Sequence, residues 1–89
     1  PIFLHKEVPF TFKKEWMGEE VLVQGVIDLL ILEDECTIID YKTDRSLTYA
    51  KQYLDQVGIY QEAVENVLGR PVKDALVTFV RLDQVIRRE

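Results

Sequence analysis

Two aspartates and a lysine stand where apolar residues are expected. In "GVIDLLILEDECTIIDYKTD", residues 25–44, Asp28 sits between Ile27 and Leu29, while Asp40 and Lys42 close a second run rich in isoleucine. Asp40 and Lys42 are two apart, so in a strand their side chains project from one face. Two carboxylates side by side repel, and burying them unpaired is costly unless a cation lies between them. Mg²⁺ prefers oxygen ligands and binds through one or two carboxylates, keeping waters or substrate phosphate oxygens for the rest. Asp28 and Asp40 could supply those carboxylates and the backbone carbonyl of Tyr41 a further ligand, with Mn²⁺ as a substitute for Mg²⁺. Lys42 could orient or help deprotonate the attacking water, or stabilise charge building on a phosphate oxygen. The chemistry that suits this set is phosphodiester hydrolysis. Judged by composition alone, an Asp-X-Lys pair at a strand end is usually a solvated edge or a salt bridge. Asp28 argues against that, because an acid in mid-strand between two aliphatic residues is uncommon without a partner.

The elements that must position these groups follow from periodicity. Residues 6–13, "KEVPFTFK", read as a strand, with Pro9 marking an edge or a bulge. "KEWMGEE" around Gly18 reads as a turn, and "VLVQGVIDLLILE", 21–33, as a long strand rich in β-branched residues. Asp34 and Glu35 connect it to "CTIIDYKT", 36–43, completing an antiparallel meander. From about Thr48 the period changes: Ala50, Tyr53, Leu54, Val57, Tyr60, Val64, Val67 and Leu68 recur at helical spacing. Ser46 or Thr48 can cap this helix, and Gly69 followed by Pro71 stops it. "DALVTFVRL", 74–82, is a strand expected to lie parallel to 36–43, because a helix joins them. The tail 83–89 is not assigned. The predicted fold is a mixed sheet in the order β-β-β-α-β, with one helix on one face.

Hairpin register then decides whether Asp28 meets Asp40. A two-residue loop at Asp34–Glu35 sets Asp28 opposite Tyr41, on the face away from Asp40. A three-residue loop, or one bulge, shifts the pairing by one and brings Asp28 opposite Asp40 or Lys42. A shared site therefore requires the odd loop or a bulge.

The totals bound the rest. The chain has 89 residues, enough for one small domain, and its 47% apolar content is that of a globular protein. It opens on Pro1 with strand-like sequence and is expected to be a piece of a longer chain. A net charge of −5 argues against autonomous gripping of a phosphate backbone, though carboxylates that hold metal can act on nucleic acid beside a basic neighbour. One cysteine, Cys36, permits no internal disulfide and reads as strand packing. No apolar run approaches the roughly 20 residues of a membrane span. A membrane partner is not expected, and the cytoplasm is the default location.

"GVID", then "DYKT" about a dozen residues later, then "QVGIY" on the following helix, resembles the RecB-type branch of the PD-(D/E)XK nuclease superfamily. Within that branch it is similar to the C-terminal nuclease domain of the AddA-type helicase–nuclease subunits. The resemblance runs from Glu7 to the last strand, and it implies a restriction-endonuclease-like core. It also implies roles residue by residue. Asp28 matches the first acidic metal ligand, Asp40 the second, and Lys42 the catalytic lysine. Gln56 and Tyr60 match a Gln-X-X-X-Tyr motif that lies beside the site and helps place DNA; their i, i+4 spacing independently puts both on one side of the helix. Glu7 matches an acidic position on the first strand, behind the ligands.

The implied activity is Mg²⁺-dependent DNA hydrolysis, as the exonuclease core of an ATP-dependent helicase–nuclease that processes double-strand breaks for recombinational repair. The implied partners are DNA (double-strand ends and single strands), the remainder of the parent helicase chain, and an AddB-like subunit. One departure stands out. The family pattern begins upstream with a helix carrying a metal-binding histidine, and His5 stands too close to the first strand to be that residue. The chain is therefore expected to be truncated of that helix and, by itself, short of one ligand. The related subunit's iron–sulfur cysteines are absent, so no cluster is expected.

Two other readings compete. One is a decayed nuclease fold that guides DNA or serves structure, disfavoured because both acids and the lysine are present. The other is an unrelated mixed-sheet interaction domain with Asp28 paired to a basic residue. Trp16 and Met17 read as contacts to other parts of a longer protein, and Arg81, Arg87 and Arg88 as solvated charges.

Overall fold

The computed structural model describes all residues from Pro1 to Glu89. Strands β1 (Phe3–Trp16) and β2 (Glu19–Leu32) form a long antiparallel hairpin. Its two-residue turn, Met17 and Gly18, has φ of 50° and 78°. Positive φ at both central positions is the turn whose twist matches that of the strands. The hairpin is longer at both ends than the alternation of apolar residues predicts, because ladder hydrogen bonds carry it through polar positions such as Glu19 and Glu20.

A three-residue loop, Glu33–Glu35, leads into β3 (Cys36–Lys42). Helix α1 (Ala50–Leu68) follows, then β4 (Val72–Phe79) parallel to β3, and β5 (Gln84–Arg87) antiparallel to β4. The sheet runs β1-β2-β3-β4-β5. The fifth strand corrects the four-strand expectation. It is four residues long, and only Val85 and Ile86 in it are apolar, too short a pattern to read. It ties down the tail: Arg87 pairs with Asp74 at 3.3 Å, and the Arg88 amide donates to the Ala75 carbonyl.

Helix α1 ends as expected. Gly69 takes φ of 66°, and its N–H donates to the Glu65 carbonyl. Its start differs, since Tyr49 occupies the N-cap with no side-chain hydrogen bond to the helix. Ser46 and Thr48, the expected caps, are bonded to each other instead, at 2.9 Å. Val57, Tyr60, Ala63 and Val64 are buried on the helix face that meets the sheet, whereas Val67 and Leu68 are exposed. The last helical turn therefore presents its apolar residues to solvent.

The core lies between α1 and the sheet. Ile27 and Leu30 of β2, Ile38 of β3 and Ala75, Val77 and Phe79 of β4 meet Val57, Tyr60 and Val64 of the helix. Each large side chain fully buried here contributes roughly 1.5–3 kcal/mol relative to exposure. Cys36 joins this layer as a free, buried thiol. On the opposite sheet face Leu22, Val26, Tyr41 and Val85 are exposed.

One irregularity positions the site. On β2 the inward positions run Val21, Val23, Gly25, Ile27 and then Leu30, a step of three. A regular strand alternates, so β2 changes face between Ile27 and Leu30. On β1 the ladder skips one position at the same level: Lys6 pairs with Leu29 and Val8 with Ile27, leaving Glu7 across from Asp28. Glu7 there adopts φ of 53°, the left-handed region that side chains seldom enter.

Candidate active site

The β2–β3 ladder is short. It comprises Leu29 with Ile39, Leu30 with Ile38 and Ile31 with Thr37. The three-residue loop fixes this register, and the next pair in line is Asp28 with Asp40. The shared-site register is thus the one adopted. An unrelated interaction domain would have no need of it.

At that level the strands part. The Tyr41 amide donates to Asp28 Oδ2 at 2.9 Å, so a carboxylate takes over where the backbone ladder stops. The fork between β1, β2 and β3 opens into a cleft of about 440 Å³ lined by Lys6, Glu7, Asp28, Leu29 and Tyr41.

Asp40 faces the helix side and is 2% exposed. The Lys42 ammonium stands 2.9 Å from its Oδ2. The contact is a largely buried ion pair. Burial pushes the Asp40 carboxyl above its ordinary value of 3.8; Lys42 opposes this shift and Asp28 reinforces it. Two carboxylates therefore share the fork, one of them buried and paired with a lysine.

Lys42 is held from the helix as well. Its ammonium donates to Gln56 Oε1 at 3.2 Å and lies 4.4 Å above the centre of the Tyr53 ring. The Tyr53 hydroxyl in turn donates to Asp44 Oδ2 at 2.7 Å, which with burial raises its own pKa. Tyr60, one turn beyond Gln56, is buried with its ring edge-on to Phe10 at 5.4 Å. Burial chiefly, and then the charges of Asp40 and Asp28, push its phenol upward. Gln56 and Tyr60 thus occupy one helix face, the first reaching Lys42 and the second set mainly in the core.

The placement of each sequence candidate is plain. Asp28, Asp40, Tyr41, Lys42 and Gln56 converge; Tyr60 borders them, and Glu7 stands across β2 at the cleft. No group of three or more His, Cys, Asp or Glu residues is close enough to hold a metal ion, so Glu7 does not join the two aspartates as a third ligand. His5 is exposed. Sequence reasoning missed Tyr53 and Asp44. Tyr53 reads as part of the apolar helix stripe, although its position three residues before Gln56 puts it on the same face.

These features define a class. The chain belongs to the PD-(D/E)XK nuclease superfamily, whose family model matches residues 2–89. Its curated relatives are helicase–nuclease subunits of the AddA type. The A subunit of an ATP-dependent helicase/nuclease from Carboxydothermus hydrogenoformans is 34% identical over 94% of this chain and 8% of its own length. Proteins of the same name from Anoxybacillus flavithermus and Pelotomaculum thermopropionicum are each 41% identical, over 83% and 78% of this chain and 7% of their own lengths. The chain thus spans less than a tenth of the length of these relatives.

Proposed function

We propose that this chain is the core of a metal-dependent deoxyribonuclease within an ATP-dependent helicase–nuclease, cutting phosphodiester bonds as the exonuclease of an enzyme that processes DNA double-strand breaks for repair. The carrying observation is the juxtaposition of Asp28 and Asp40 across the fork, with Asp40 buried and the Lys42 ammonium beside it. A buried carboxylate beside a second one fits a hard cation, and an all-oxygen donor set fits Mg²⁺, with Mn²⁺ as substitute. Asp28 and Asp40 would hold it, with the Tyr41 carbonyl as a further donor. The bound cation would supply Lewis acidity toward a phosphoryl oxygen.

The chain's own residues do the remainder. The Tyr41 amide fixes one oxygen of Asp28 and so orients that carboxylate. Asp40 and Gln56 hold the Lys42 ammonium on the helix side of the sheet. From there Lys42 orients the attacking water or stabilises negative charge developing on phosphate oxygens. Gln56 borders the helix side on which the DNA strand would be placed, with Tyr60 packed behind it, and Glu7 would support Asp28 from β1. The net charge of −5 accords with DNA being gripped by other parts of the enzyme, for which the remainder of the helicase chain and an AddB-like partner are proposed. A cytoplasmic location accords with this role.

The test is Asp40→Ala in the complete helicase–nuclease subunit. Cleavage of linear DNA should be abolished while ATP-driven unwinding continues. Cleavage at the wild-type rate would rule out the assigned site.

A further inference from the structure

Three side chains surround the Lys42 ammonium, and they hold it by different means. Asp40 offers a charge at 2.9 Å, Gln56 a carbonyl oxygen at 3.2 Å, and Tyr53 a ring face at 4.4 Å. Tyr53 comes from the first turn of α1 and is itself fixed from two directions. Its hydroxyl donates to Asp44, in the segment joining β3 to the helix, and its ring leans on Phe79 of β4 at 6.1 Å. We propose that Tyr53 is a positioning residue for Lys42: its ring face holds the ammonium beside the paired aspartates, and the bond to Asp44 sets the tilt of that ring. This inference rests on the nuclease reading above.

The need for such a holder follows from the site's own charges. A lysine ammonium is a point charge on a flexible stem, drawn to whatever anion is nearest. Here that anion is Asp40, a carboxylate that would also hold a divalent cation. A cation shared by Asp28 and Asp40 would repel the ammonium from the oxygen that now anchors it. Gln56 supplies one neutral anchor. The ring face supplies a second, which attracts the ammonium through its quadrupole without competing for a metal. Both neutral anchors lie on α1, three residues apart, so one helix face holds the lysine.

The experiment compares Tyr53→Leu with Tyr53→Phe in the complete helicase–nuclease subunit, measuring Mg²⁺-dependent cleavage of a single-stranded oligonucleotide and the affinity for Mn²⁺. Leucine keeps bulk against Phe79 but removes the ring face. Phenylalanine keeps the ring and removes only the hydroxyl. Tyr53→Leu should lower kcat about tenfold, within the span expected for one cation–π contact, with KM and Mn²⁺ affinity unchanged. Tyr53→Phe should recover kcat to within about threefold of wild type. The proposal is overturned if Tyr53→Leu cleaves normally, if phenylalanine is as damaging as leucine, or if the loss falls in KM or in Mn²⁺ affinity. Asp40→Asn run in parallel separates the two levels. Cleavage lost there but intact in Tyr53→Leu removes only the positioning role, whereas cleavage surviving in Asp40→Asn removes the nuclease reading beneath it.

Discussion

The two ends of β3 present the same face of the same strand and are built on opposite terms. At the first end, Cys36 and Ile38 are sealed between Leu30 and the helix, and the ladder to β2 is intact. At the second end, Asp40 is nearly as buried, yet the ladder has stopped and the neighbours are Lys42, Asp28 and Gln56. Burial is common to both ends; the difference is whether water's removal is matched by apolar contact or by charge. The first end should therefore carry stability, and the second should carry an electrostatic cost that a cation can relieve.

The largest expected effect tests the apolar end. Ile38→Ala removes a fully buried side chain from the middle of the sheet and should destabilise the fold by about 2–5 kcal/mol, read as a lowered midpoint in urea unfolding. Asp40→Asn, two residues along on the same face, should cause no comparable loss in metal-free buffer. If Asp40→Asn proved the more damaging of the two, the contrast between the ends would be wrong.

The pH dependence sharpens the same contrast. Burial raises the folded-state pKa of Asp40 above 3.8, so the native chain holds this proton more tightly than the unfolded chain does. The stability that goes with it is present in full below about pH 4 and is lost as pH rises through the raised native value. In the presence of a chelator, Asp40→Asn should therefore gain on the wild type between pH 4 and pH 7, by less than the loss at Ile38. Adding Mn²⁺ at pH 7 should stabilise the wild type and leave Asp40→Asn unmoved. Parallel pH profiles for the two proteins would show that Asp40 carries no net burial cost.

The same division governs what the sequence discloses. The apolar end was legible: alternation marks β2 and β3, the helical stripe marks α1, and Gly69 marks its stop, since each is a local pattern with a local cause. The polar end was legible in residue types and not in geometry. "EDE" supports a two-residue or a three-residue loop equally, and only the assembled hairpin selects the register that sets Asp28 against Asp40. Tyr53 was hidden for a related reason. An aromatic residue at helical spacing counts as core until its ring is seen under a lysine from another element. The strand 84–87 escaped because its support comes from β4 and not from its own composition, and Val67 and Leu68 misled because apolar character alone does not show that an open groove separates the end of the helix from β1 and β2.

The smallest expected effect lies on β1, at the polar end of the fork. Among the non-glycine residues with positive φ, Met17 and Asp83 sit in turns, whereas Glu7 at 53° stands within a strand. A side chain in that region costs about 1–2 kcal/mol, while a glycine placed in a strand gives back roughly 0.5–1 kcal/mol in lost backbone order. Glu7→Gly should therefore stabilise the chain slightly, by about 0.5 kcal/mol, a shift of a few degrees in Tm for a chain of this length. Glu7 also faces the cleft shared with Asp28 and Tyr41. If that carboxylate supports the site, cleavage by the complete subunit should fall even as Tm rises. A variant more stable and equally active would confine Glu7 to the bend of the strand, and one less stable would show that the backbone at this point is held without strain.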